Sequence, residues 1–494
     1  MKAKSVLVIG AGMGGITAAA HLARSGLQVT VVEKNASPGG RCGRFSRAGH
    51  HFDTGPTLFV MPLLYEAEFH ALGTSLHDRL HLLRVDPTYH LVFDDGSQLA
   101  LTADMASMQQ QLEALHPGSF QGLRRYLQEG EQHYRLVLEG LVNRDFRKAS
   151  QFFSLRNLPL FLRLKPFLNH YRHMAAFFTE PRLKSAFTFQ DIYTGLSPFE
   201  APATFSMLPF TELAHGVFYP QGGMYQVVES LIDLARQAGV EFLFSSPVEH
   251  IELHAARTRG VRLADGSRLE ADVVLANADL PYVYQQLLPP DRMARTLSHK
   301  RFSCSTISFF WGLDQTYPTL GPHTLFLADD YQRNFESIDR HLSLPANPSL
   351  YLHAPARLDP TMAPPGQDTL TAIIPVGHLS QNGDQDWDQL RLLARSHVFR
   401  RLRSLGITDL QDHLLFEETL TPPAWRQRYN LLKGSTHGLS HRLTQMGYLR
   451  PPNRHPRYHN LYFVGASTHP GTGLPTAMVS GRLVATRILD ELGS

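Results

Sequence analysis

The stretch Gly10-Ala-Gly-Met-Gly-Gly15 constrains the fold of this chain more than any other feature. It follows a continuous apolar run, Ser5-Val-Leu-Val-Ile9, and precedes a helical pattern through Ala18, Ala19, Leu22 and Ala23. Gln28-Val-Thr-Val-Val-Glu33 then reads as a second buried strand. A strand, glycine turn, helix and strand in succession make a right-handed crossover whose two strands are parallel neighbours. Within the turn, Gly10 permits the tight bend, Gly12 lets backbone amides approach a pyrophosphate, and Gly15 allows close packing of helix on strand. Gly14 belongs to the same cradle, and the helix N-terminus favours negative charge. Glu33 stands 23 residues after Gly10, at the end of the second strand, where a carboxylate accepts from ribose hydroxyls. The chain therefore opens on half of a dinucleotide-binding domain.

At 494 residues it is too long for one core, and roughly two or three substructures are expected. Residues 224–238 have helical spacing, 240–244 read as a strand, and 260–263 and 269–276 read as two strands around an Asp265-Gly266 turn. Near the end, 460–464 read as a strand, 465–473 as a loop and 475–492 as a closing helix. The predicted fold is α/β, with a discontinuous Rossmann-like domain of residues 1–90, 221–284 and 431–494. Two insertions interrupt it. Residues 91–220 are rich in helix formers and aromatics; 285–430 include the alternating run 302–313 and suit a substrate layer with a mixed sheet.

Composition excludes several classes. A net charge of +3 is far from the dense basic patches that bind nucleic acid. Two distant cysteines, Cys42 and Cys304, give neither a disulfide framework nor a metal-like spacing. The 26 histidines include the pairs His50/His51 and His170/His173, but no carboxylate–histidine signature accompanies them, so no metal is expected. No run of about 18 uncharged apolar residues suits a membrane span. The first residues lack an exported-precursor pattern, so a cytoplasmic location is expected. In 156–178, Leu158, Leu160, Phe161, Leu162, Leu164, Phe167 and Leu168 alternate with Arg163, Lys165 and Arg172, while Pro159 and Pro166 break any long helix. Such a segment suits either monotopic contact with a membrane surface or a buried helix pair with basic edges.

NAD and FAD sites share the opening fingerprint, and the following residues separate them. Lys34-Asn-Ala-Ser-Pro-Gly-Gly-Arg41 and Asp53-Thr-Gly-Pro-Thr57 resemble the flavoprotein superfamily of amine oxidases and carotenoid desaturases. The segment Asn460-Leu-Tyr-Phe-Val-Gly-Ala-Ser-Thr-His-Pro-Gly-Thr-Gly-Leu-Pro-Thr-Ala-Met-Val-Ser-Gly481 is similar to the signature of bacterial-type phytoene desaturases, including their diapophytoene and hydroxyneurosporene relatives. Tyr219-Pro-Gln-Gly-Gly223 and Tyr351-Leu-His-Ala-Pro355 extend the likeness over essentially the whole chain.

This resemblance implies FAD as cofactor. It places Gly40 and Arg41 along the diphosphate, Lys34, Gly55, Pro56 and Thr57 in the cofactor site, and Val248 at the adenine. Gly465 and Ala466 would meet the ribityl chain. Gly473, Leu474, Pro475 and Thr476 would start a helix whose positive end faces the isoalloxazine ring.

The implied reaction removes hydride from a carbon beside a polyene and a proton from its neighbour. A carboxylate would stabilise or deprotonate the allylic cation, with Glu212 the first candidate and Asp191 the second. His469 either lines the ring or makes a structural hydrogen bond. The substrate would be a lipophilic carotenoid, and the electron acceptor stays open between oxygen and quinone. Competing readings are a carotenoid oxidase, a retinol-saturase-like enzyme and a flavin amine oxidase, the last disfavoured by the absence of cysteine from the C-terminal segment. A non-catalytic isoprenoid carrier resembling GDP-dissociation inhibitors is a further alternative.

Overall fold

The computed structural model describes residues 4–380 and 383–493. Ser5–Ile9 pairs in parallel with Gln28–Val32 on one side and Val273–Ala276 on the other. Leu461–Phe463 and Glu241–Leu243 complete a five-stranded parallel sheet. Alternate residues feed two cores. Val6, Val8, Val29, Val31, Val273 and Leu275 pack under the helices Met13–Arg24, Tyr225–Gln237 and Leu474–Leu492. Leu7, Ile9, Val32 and Val274 pack under a three-stranded antiparallel sheet of Val248–His254, Arg257–Leu263 and Arg268–Glu270. Burial on both faces is why these strands read as unbroken apolar runs. The α/β architecture expected from the sequence is the one the chain forms.

One expected element is corrected. Residues 269–276 do not form a single strand: Arg268–Glu270 belongs to the antiparallel sheet and Val273–Ala276 to the parallel one. Asp272 marks the change of sheet, its carboxylate accepting from Ser5 N at 2.8 Å and Ser5 Oγ at 3.1 Å.

A second, seven-stranded sheet is centred on Ser305–Leu313, Asp368–Val376, Leu350–His353 and His323–Leu327. At one edge Tyr89–Phe93 runs parallel to His323–Leu327 and carries Gln98–Leu101 beside it, so residues from the start of the first insertion complete the sheet of the second. Ile307, Phe309, Trp311 and Leu313 face a core shared with Val398, Phe399 and Leu402 of the helix Trp387–Ser404. Thr306 and Ser308 point the other way, into a cavity. The period-2 alternation seen in 302–313 thus sorts a core face from a cavity face.

Asp53 ties the segments together. Its carboxylate accepts from Tyr219 Oη and Met224 N, both at 2.9 Å, and from Tyr225 N at 3.1 Å, at the start of the helix Tyr225–Gln237. In the first insertion, helix Leu158–Leu164 ends at Lys165, whose positive φ of 46° precedes Pro166. Proline disfavours helical geometry in the residue before it, so the break falls where the sequence puts it.

Candidate active site

A cavity of about 710 Å³ opens where the parallel strands end and continues across the open face of the seven-stranded sheet. Ligands of open α/β sheets bind outside the carboxyl ends of the strands.

At one end Glu33, Lys34 and Val248 border the cavity. Glu33 is buried; its Oε2 accepts from Ala11 N at 2.8 Å and its Oε1 from Asn35 N at 2.9 Å, which fixes the carboxylate beside the glycine turn. Lys34 borders the same end, but its ammonium donates to the Gln427 carbonyl at 2.8 Å and to Asn430 Oδ1 at 2.9 Å. It pins the C-terminal end of the helix Pro422–Tyr429 there.

The helix Met13–Arg24 points its N-terminus at the middle of the cavity, with no side-chain cap and no acid in its first turn. Gly10, Gly12, Gly14, Gly40 and Arg41 line this stretch. Arg41 donates to the Thr436 carbonyl at 2.8 Å and has the Asp279 carboxylate close by. Gly15 does not border the cavity. A Cβ there would lie 2.4 Å from the Gly10 carbonyl and 2.8 Å from Asn277 Nδ2, so its smallness serves helix-on-strand packing. Asn277 has a role that the sequence did not disclose. Its amide donates to the Gly10 carbonyl at 3.0 Å and occupies the space that a Cβ on Gly12 or Gly14 would claim. Its sequence signals are its place directly after the apolar strand Val273–Ala276 and the likeness of Ala276-Asn-Ala-Asp279 to a strand-end turn of the desaturases, neither of which gives the contact with Gly10.

At the far end Gly55, Pro56 and Thr57 meet Gly465, Ala466 and Gly473–Leu474–Pro475–Thr476. Gly465 and Gly473 have φ of 112° and 116°, and a Cβ would lie 3.2 Å from Asn277 Oδ1 at the first and 2.8 Å from Thr476 Oγ1 at the second, so neither position accommodates a side chain. The helix Leu474–Leu492 begins here, also uncapped by a side chain and without an acid in its first turn. Thr57 Oγ1 is hydrogen-bonded to Tyr351 Oη at 2.7 Å, and that hydroxyl to His323 Nδ1 at 2.6 Å.

Glu212 does not border the cavity. It lies just behind the wall, 3% exposed, accepting from Tyr193 Oη at 2.5 Å and Gln190 Nε2 at 3.0 Å. Burial pushes its carboxyl up to about 7, against the pull of those two donors. Asp191 is farther from use: it pairs with buried His170 Nδ1 at 2.9 Å, and His170 Nε2 with Tyr126 Oη at 2.8 Å. The ring of His469 packs edge-on against Phe146 while its neighbours Thr468 and Pro470 line the wall; burial lowers its pKa to about 4. Among the described residues no cluster of His, Cys, Asp and Glu is close enough to hold a metal ion.

Two helix ends without side-chain caps, together with Arg41, suit an anion, and the Glu33 carboxylate at one extremity suits hydroxyl donors. These residues fit FAD, and the class that this fold and cavity define is that of the FAD-dependent oxidoreductases. The chain belongs to the flavin-containing amine oxidoreductase family, whose model matches residues 13–489. It is 41% identical over 490 residues to a zeta-carotene-forming phytoene desaturase of Myxococcus xanthus, covering 98% of this chain and 94% of that protein. It is 40% identical over 512 residues to a phytoene desaturase of Fusarium fujikuroi, covering 99% and 90%. A solved structure of putrescine oxidase has the same fold, with a TM-score of 0.66 at 14% identity over 99% of both chains.

Proposed function

We propose that this protein is an FAD-dependent carotenoid desaturase that introduces conjugated double bonds into phytoene or a related long isoprenoid hydrocarbon. The observation that carries this reading is the lining of the cavity beyond Thr57. Leu325, Leu327, Phe335, Ile338 and Ile373 form its walls, and the only acids among the cavity-lining residues, Glu33 and Asp279, lie at the cofactor end. An ammonium substrate would find no carboxylate there, whereas a hydrocarbon finds a matching surface. When bound, FAD supplies hydride acceptance. The chain's own residues exclude water, align the polyene and remove the proton, and Glu212 is the proposed destination of that proton. The names and near full-length identity of the relatives support the same substrate class.

The substrate dissolves in bilayers, and we place its entry at a peripheral membrane contact on the cytoplasmic side. Leu155, Leu162 and Phe167 are 90%, 72% and 91% exposed, beside the exposed Arg144, Lys148, Arg163 and Arg172. This patch packs through Leu160 and Leu164 on Leu141 and Val142, which line the cavity. Among the described residues no helix is long and apolar enough to cross a membrane. Residues 1–90, 221–284 and 431–494 are assigned to the cofactor domain and the two insertions to substrate and membrane; oxygen or a quinone reoxidises the enzyme.

Expression in one host that accumulates phytoene and another that accumulates diapophytoene tests the reading. New absorption bands from lengthened polyenes are expected in at least one host. Unchanged colourless carotenes in both, with FAD bound, would contradict it.

A further inference from the structure

Tyr89, Tyr193 and Glu212 form a hydrogen-bonded row leading out of the cavity. Tyr89 lies on the edge strand Tyr89–Phe93 and Tyr193 on the short turn Phe189–Thr194; both border the cavity. Glu212 lies behind them on the helix Met207–Ala214. The two tyrosine hydroxyls are bonded to each other, and Tyr193 Oη donates to Glu212 Oε1. A phenol carries one proton. That of Tyr193 is committed to Glu212, so within the tyrosine pair Tyr89 is the donor. Tyr89 Oη has no other hydrogen-bond partner among the described residues, which leaves it an acceptor site at the end of the row away from Glu212. The row is therefore polarised from the cavity toward the carboxylate. Its entrance stands near the redox end: the Tyr89 ring is 6.2 Å from that of Tyr351, whose hydroxyl is bonded to Thr57.

A buried carboxylate is weak evidence of stabilisation, since apolar residues of similar volume usually serve a core as well. We propose that this row is the proton exit of the reaction, with Tyr89 receiving the substrate proton and Glu212 storing it; the assignment rests on the desaturase reading. In the step, the C–H bond next to the carbon that has lost hydride breaks, and its electron pair becomes the second bond of the new C=C. The proton goes to Tyr89 Oη, the proton of Tyr89 to Tyr193, and that of Tyr193 to Glu212 Oε1. The substrate cation and the carboxylate both end neutral. Neither tyrosine becomes a phenolate, which burial strongly disfavours at both positions. Tyr193 and Tyr89 conduct the proton, while Gln190 positions the carboxylate through its other oxygen.

The test uses the FAD-loaded full-length protein and phytoene in lecithin vesicles, in single turnovers without oxygen. Tyr89→Phe, Tyr193→Phe and Glu212→Gln should each slow formation of the conjugated product by ~10²–10⁴-fold, the span of general-base contributions, with FAD affinity, flavin spectrum and KM unchanged. Wild-type turnover should be slower in D2O, and Tyr193→Phe should abolish that difference. A rapid-scan infrared carbonyl band of protonated Glu212, identified by its loss in Glu212→Gln, should rise with the product. Either tyrosine variant at wild-type rate, or no such band in an active wild type, would overturn the relay alone. A wild type that binds FAD but converts neither phytoene nor diapophytoene would overturn the desaturase reading, and the relay with it.

Discussion

As the proposed proton acceptor, Glu212 would couple the chemistry to pH. Its carboxyl, pushed up to about 7 by burial, must be ionised to take a proton. Wild-type turnover should therefore fall as pH drops through about 7, and a pH–rate profile of Glu212→Gln should lack that limb. The same shift acts on stability with the opposite preference. The folded state holds this proton more tightly than the unfolded chain, so its contribution is full below the ordinary value of 4.5 and is lost as pH rises through about 7. Gly15 gives a second test. An added Cβ 2.4 Å from the Gly10 carbonyl forces the helix off its strand, so Gly15→Ala should cost about 1–3 kcal/mol of stability and release FAD, seen as loss of bound flavin absorbance. The glycine turn and Glu33 were legible in the sequence because their chemistry is local, complete within 24 consecutive residues. Asn277, Tyr89 and Tyr193 were not. Asn277 acts on a turn 267 positions away, and the two tyrosines meet across 104. No spacing rule connects them.

At the scale of elements, the parallel sheet was readable because strands buried on both faces are uniformly apolar. The run 269–276 misled because two short strands of different sheets follow each other with only Ala271 and Asp272 between them. The alternation in 302–313 indicated a two-faced strand but not which face meets the cavity, since that depends on the helix Trp387–Ser404. Nor does anything local announce that Tyr89–Phe93 pairs with His323–Leu327. Asp53 fastens the hairpin Arg44–Arg47 and His50–Asp53 to the start of the helix Tyr225–Gln237, and Asp53→Ala strands three donors, two of them backbone amides. A loss of about 2–3 kcal/mol is expected in chemical denaturation, with Asp53→Asn retaining part of the difference.

Across the whole molecule, one cavity joins a charged cofactor end to an apolar wall that rests on an exposed apolar patch. Replacing Leu162 and Phe167 together by Asp should remove at least about 3 kcal/mol of interfacial burial, roughly a hundredfold in vesicle partitioning. Vesicle flotation checks this, and FAD content should stay unchanged because neither residue borders the cavity. The most direct test of the central claim is anaerobic titration of the FAD-loaded protein with phytoene in vesicles, following flavin and polyene absorbance together. One flavin bleached for each double bond formed is expected. Flavin that stays oxidised with phytoene, zeta-carotene and diapophytoene alike would contradict it.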